Sequence, residues 1–162
     1  MNDQDTTTST QYLTFTLGHE VFAVDIAKIR EVLEFTSVTK VPRTPGFMCG
    51  VINLRGSVVP VVDMRQKFQM TQSVKSVNTC IIILEVAQDD GIVVMGALAD
   101  SVREVMELEP DQIEPAPRIG MQLRSDFLKG MGKQEGRFIM ILDIDKMFSV
   151  EELSSGQPST AG

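Results

Sequence analysis

The sequence predicts an all-β protein built from two small, similar, intertwined β-barrels packed together, with short helices including one near the C-terminus. Three observations lead there: strand-like runs dominate from residue 11 to about 150, they come in hairpins, and the order of segments occurs twice.

The first hairpin joins "YLTFTL" to "VFAVDI" through "GHE". Leu13, Phe15 and Leu17 alternate with Tyr12, Thr14 and Thr16, the period-2 signature of a strand. In "IAKIREVLEF" the period changes. Ile26, Ile29 and Leu33 have helical spacing, although "VLEF" fits a strand equally well. "KVPRTPGF" carries two prolines and a glycine and reads as a loop. "VINL" and "SVVPVVD" flank Arg55-Gly56 in a second hairpin, with Pro60 marking an edge or a bulge. "MRQKF" is a helical turn after Asp63, and "TQSVKSVN" a polar connection. "TCIIILEVA" and "IVVMGALA" form a third hairpin around "QDDG". "SVREVMEL" then leads into the loop "EPDQIEPAPRIG". "FLKGMGK" and "RFIMILDI" make the fourth hairpin. "DKMFSVEEL" is the last helix, with Asp143 or Asp145 near its start, where an acid suits the dipole. Residues 1–10 and 154–162 are small, polar and without period, and are expected to be disordered tails.

The repeat is carried by two matched pairs. "IREVLEF" and "VREVMEL" lie 73 residues apart, and "VVDMRQKF" and "ILDIDKMF" lie 80 apart. The halves, about 12–68 and 79–148, each run hairpin, R-E-V-x-E, proline loop, hairpin, D-x4-F. Units with so few strands bury little as flat sheets, so each should curl into a barrel.

The net charge of −7 and pI near 4.7 oppose a phosphate-tracking surface, so nucleic acid is not an expected partner. No run approaches the ~20 apolar residues of a membrane span, and the polar start is no signal peptide. Direct membrane insertion is not expected. Cys49 and Cys80 read as buried free thiols in a reducing cytoplasm, with a disulfide between them as the alternative.

Catalytic material is scarce. His19, the single histidine, falls in a turn, and with Cys49 and Cys80 it makes no zinc spacing. No nucleophile elbow or phosphate-binding glycine motif is present. Asp25, Asp63, Asp100 and Asp143 each close an apolar run at matched places in the repeat, which points to capping rather than acid–base work. No metal, cofactor or catalytic residue is therefore expected. Met48, Met64 and Met131, at loops or element ends, could serve an adaptable surface or fill the core. In "FMCGVINLRG" an apolar stretch feeds a hairpin with one cation at its tip. Arg55 is either a solvated turn residue or an anchor beside an apolar groove, pairing with an acid on a partner.

"TPGFMCGVINLRGSVVPVVDMRQKF", "LGHEVFAVDIAKIREVLEF", "DQIEPAPRIG" and "FLKGMGKQEGRFIMILDIDKMF" strongly resemble the CheW family of chemotaxis coupling proteins, over residues 11–153. The resemblance implies two SH3-like barrels and a cytoplasmic, non-enzymatic adaptor. Such an adaptor joins the tips of methyl-accepting chemoreceptors to the histidine kinase CheA, and so is recruited to membrane receptor arrays by its partners. It also implies a stand-alone adaptor, alternating in rings with the kinase's similar regulatory domain. Arg55 falls on the arginine important for receptor coupling. Ile29, Glu31, Val32, Leu54, Gly56 and Val58 match positions around the receptor tip, a helical hairpin in an apolar groove between the barrels. The second barrel's apolar surface and the hairpin faces of the first are expected to meet the kinase. The alternatives are a same-fold adaptor in a non-flagellar motility or developmental pathway, and a small ligand-binding or carboxylate-using enzyme.

Overall fold

A computed structural model describes residues 9–68, 70, 75–89, 91–115 and 127–148. Ten strands run β1 Thr10–Leu17, β2 Glu20–Asp25, β3 Ile29–Glu34, β4 Met48–Leu54, β5 Ser57–Asp63, β6 Cys80–Gln88, β7 Gly91–Ala99, β8 Ser101–Leu108, β9 Leu128–Gln134 and β10 Arg137–Leu142. Two one-turn helices, α1 Met64–Lys67 and α2 Ile144–Met147, follow β5 and β10. The stretch with helical spacing is a 3-10 turn, Ile26–Lys28, and then strand β3. Its neighbour β6 offers the Ile81–Leu84 edge, and pairing with that edge overrides a weak local period. Thr10, expected in the N-terminal tail, instead begins β1 and pairs with Leu108. The rest of both tails, the proline loop beyond Pro115 and the last helix beyond Phe148 lie outside the described residues.

The strands form two five-stranded sheets, β3-β6-β7-β5-β4 and β8-β1-β2-β10-β9, each an SH3-like barrel. The orders become identical when β1 is matched to β6, β2 to β7, β3 to β8, β4 to β9 and β5 to β10. Pair directions agree too, with β5 parallel to β7 and β10 parallel to β2. Even the isolated bridges correspond, Thr39 to Val51 in one barrel and Glu114 to Met131 in the other. The duplicated units exchange their opening hairpins. β1 and β2 complete the barrel of β8–β10, and β6 and β7 complete that of β3–β5.

The four acids mark the joints. Asp25 and Asp100 sit where the chain crosses from one barrel to the other. The Asp25 carboxylate accepts from the Ala27 amide at 2.9 Å. Asp63 and Asp143 cap α1 and α2, accepting from the Arg65 amide at 3.0 Å and the Lys146 amide at 3.2 Å. Asp100 differs from a local cap. It accepts from the Gly18 amide and from Arg65 Nη1, both at 2.7 Å, and so ties the first turn to α1.

Both faces of the central strands are buried, which explains their near-continuous apolar runs. On β6, Ile81 and Ile83 fill the first barrel, while Ile82, Leu84 and Val86 join a core shared by both barrels. On β10, Ile139 and Ile141 fill the second barrel, and Met140 and Leu142 join the shared core. There Phe22 stacks on Phe15 and Phe68, with centroids 5.9 and 5.3 Å away. Such pairs add about 0.5–1.5 kcal/mol to the burial of each ring.

Candidate functional site

Arg55 and Gly56 form the tip of the β4–β5 hairpin. Both have positive φ, 51° and 89°, as a two-residue I′ turn requires, and the Gly56 amide donates to Asn53 Oδ1 at 2.9 Å. The tip is exposed, but the guanidinium is not free. Arg55 Nη2 donates to Glu31 on β3, so Arg55 already meets an acid of its own chain. The arginine side chain is 68% exposed and the glutamate 26%. Beside them Arg30 Nε donates to Glu85 at 3.0 Å.

Next to the tip lies an open groove of about 510 Å3, lined by Arg30, Leu54, Arg55, Val58, Pro60 and Ile92–Val94 among others. Its origin is a split in the sheet. β5 pairs with β7 only over Val61–Asp63, and the strands part upstream at Pro60, which has no N–H to extend the ladder. Pro60 therefore marks a local edge within an internal strand. Val58 and Ile92 are left 71% and 65% exposed. The groove lies on the first barrel, not at the seam between barrels.

Of the expected site residues, Leu54, Arg55 and Val58 line this groove, Gly56 completes the turn and Glu31 holds the arginine. Val32 is exposed on β3 outside the groove lining. Ile29 is half-buried against the shared core. Sequence reasoning missed Ile92, Val93 and Pro60 as groove residues. The signal was the comparison of repeats: "GIVV" opens β7 where the matching stretch before and into β2 reads "GHEV", so Ile92 and Val93 stand where the other half has polar residues. Met64 is fully buried, and Met48 and Met131 pack on the shared core, so all three fill space.

His19 stays in the β1–β2 turn, where its carbonyl accepts from Arg137 at 3.3 Å. Cys49 and Cys80 are free thiols, half-buried rather than fully buried. Burial, with Asp63 adding to it, pushes the Cys49 thiol up to about 11. Among the described residues no cluster of three His, Cys, Asp or Glu side chains could hold a metal, and no helix is long and apolar enough to cross a membrane.

Two fused barrels thus present an open groove, lined by Leu54, Val58–Pro60 and Ile92–Val94 together with Arg30, Arg55 and Ser57, beside a tethered arginine. The family model for the CheW-like domain matches residues 11–152. The chemotaxis protein CheW of Klebsiella aerogenes is 37% identical over 148 residues, covering 91% of this chain and 87% of that protein. The Rhizobium meliloti chemotaxis protein CheW is 32% identical over 142 residues, covering 88% and 89%. The crystal structure of the scaffolding protein TtCheW from Thermoanaerobacter tengcongensis superposes with a TM-score of 0.79 at 30% identity, covering 94% of this chain and 96% of that one. The chain belongs to the CheW family.

Proposed function

We propose that this chain is a non-enzymatic chemotaxis scaffold that couples methyl-accepting chemoreceptors to the histidine kinase CheA. In this reading it works in the cytoplasm and reaches membrane receptor arrays through those partners. The observation that carries it is the Arg55 tip beside an open apolar groove, in a chain whose relatives are named chemotaxis and scaffolding proteins. Leu54 and Val58 supply apolar contact, Gly56 lets a partner backbone approach, and Arg55 supplies the forked donor that a helical partner's acid would take. Glu31 aims Arg55. Val32, exposed on β3, extends the surface, and Ile29 supports β3 from within.

The test is reconstitution of receptors in nanodiscs with CheA, with and without the chain. The proposal expects kinase to co-sediment with receptor and become active only when the chain is added. A chain that binds neither partner overturns it.

A further inference from the structure

A second cavity, of about 430 Å3, lies at the opposite end of β4 from Arg55. It falls within the size range of small-molecule sites, about 300–1,000 Å3. We propose that it binds a small organic anion, a carboxylate or phosphate carried on a short apolar body. This does not rest on the receptor-coupling reading.

The lining divides by chemistry. Phe35, Val38 and Met48 supply apolar surface, and Lys40, Arg43 and Lys75 supply three cations. None of the three makes an ion pair with a described residue. Lys75 lies 5.2 Å from the centroid of the Phe35 ring, which holds it at the wall. The one carboxylate in the lining, Asp63, already accepts from the Arg65 amide. In a chain of net charge −7, three cations facing one acid around a single cavity make a local positive field. Lys40 and Lys75 are close enough to act on the Cys49 thiol, yet burial keeps that thiol protonated, so it adds no competing charge.

The backbone supports the same conclusion. Arg43 has φ 62° although it is not glycine, an unfavourable conformation held between Pro42 and Pro45. A Cβ built on Gly46 meets nothing within 4 Å, so the space beside it is open. A guanidinium fork and two ammonium groups match a carboxylate or phosphate. A bare inorganic anion would leave the apolar wall unused.

The test is amide NMR of the full 15N-labelled chain titrated with phenyl phosphate, inorganic phosphate and benzyl alcohol. The expected result is saturable shifts over residues 35–49, strongest with phenyl phosphate, weaker with inorganic phosphate and weakest with benzyl alcohol. Arg43→Gly removes the guanidinium and relieves the positive φ, so it keeps the fold and should weaken binding about tenfold. Gly46→Leu should fill the open space and abolish binding. The proposal is overturned if phenyl phosphate gives no saturable shift up to about 10 mM. It also falls if benzyl alcohol binds as well, or if both variants leave the affinity unchanged.

Discussion

Replacing Arg55 separates its two roles by magnitude. Arg55→Ala deletes an ion pair whose arginine is 68% exposed, and exposed pairs contribute roughly 0.2–1 kcal/mol. Glu31 is left without its cation but keeps 26% exposure, so water solvates part of it. For a chain of this size about 1 kcal/mol corresponds to about 2–4 °C, so the melting temperature should fall by no more than that. Partner binding should suffer more. A central arginine beside an apolar groove is worth about 1–3 kcal/mol, a loss of roughly 5- to 150-fold in affinity. Arg55→Lys should restore only part of it, because the fork is lost.

The swap Arg55→Glu with Glu31→Arg then distinguishes direct contact from positioning. It keeps an ion pair between β3 and the hairpin tip but moves the guanidinium to β3. If Arg55 touches the partner, the swap restores the melting temperature and leaves coupling defective. Thermal melting beside receptor–kinase activation reads both. The reasoning is refuted if Arg55→Ala unfolds the protein, or if both stability and coupling survive it.

Three other outcomes are expected. Gly50→Ala should destabilise by more than about 2 kcal/mol, since its φ is 145° and an added Cβ would lie 2.1 Å from the Thr39 carbonyl; Gly130→Ala, against the Glu114 carbonyl at 2.6 Å, should do the same in the other barrel, and urea unfolding measures both. Burial would raise the Asp145 carboxyl, but hydrogen bonds from Lys28 at 2.7 Å and the Ala87 amide at 2.8 Å outweigh it and the pKa is lowered. Its contribution is thus complete above the ordinary value of 3.8 and lost as the pH falls through the lower folded value, and Asp145→Asn should flatten that acid limb of the urea midpoint. In a Cys80→Ser background, Cys49 should react with a thiol reagent far more slowly than in the unfolded chain at neutral pH, and its rate should climb until the pH reaches about 11.

Much of the fold was legible because hairpins and caps are local. Arg55-Gly56 and Asp63 announce a turn and a helix start within a few residues, and the structure has both there. That the barrels are intertwined was expected, but which hairpins they exchange was not legible. "IREVLEF" and "VREVMEL" reveal a duplication, but which hairpin pairs with which barrel depends on contacts such as Ile29 to Leu84 and Thr10 to Leu108. Those join segments far apart in sequence. At the candidate site the residue types were visible and their relations were not. Nothing in the spacing of Glu31 and Arg55 says that a curled sheet brings β3 to the β4–β5 tip. Likewise nothing in "IVVMGALA" says that β5 parts from β7 and leaves Ile92 open to solvent.

The duplication also explains how one small fold can offer two unlike faces. Two exposed apolar positions are retained between barrels: Val32 and Val58 in the first correspond to Val105 and Phe138 in the second, exposed by 40%, 71%, 46% and 53%. The tips have diverged. Arg55-Gly56 in the first barrel is Glu135-Gly136 in the second, with the same pair of positive φ angles and the opposite charge. The adjoining groove shrinks from about 510 Å3 to about 80 Å3, and at its rim Leu54 is replaced by Gln134 and Ser57 by Arg137. Backbone geometry was conserved because glycine at the second turn position fixes the hairpin in both copies. Side chains on the tip bear no such constraint, since they touch mostly solvent. A scaffold joining two different partners needs that combination, a shared rigid frame whose two ends attract different chemistry. On the coupling proposed above, the Arg55 end would meet an acidic, apolar helical surface. The Glu135 end, beside an exposed Phe138 with Lys133 over its ring at 6.0 Å and with Arg137 next to it, mixes both signs of charge and so differs in chemistry from the first.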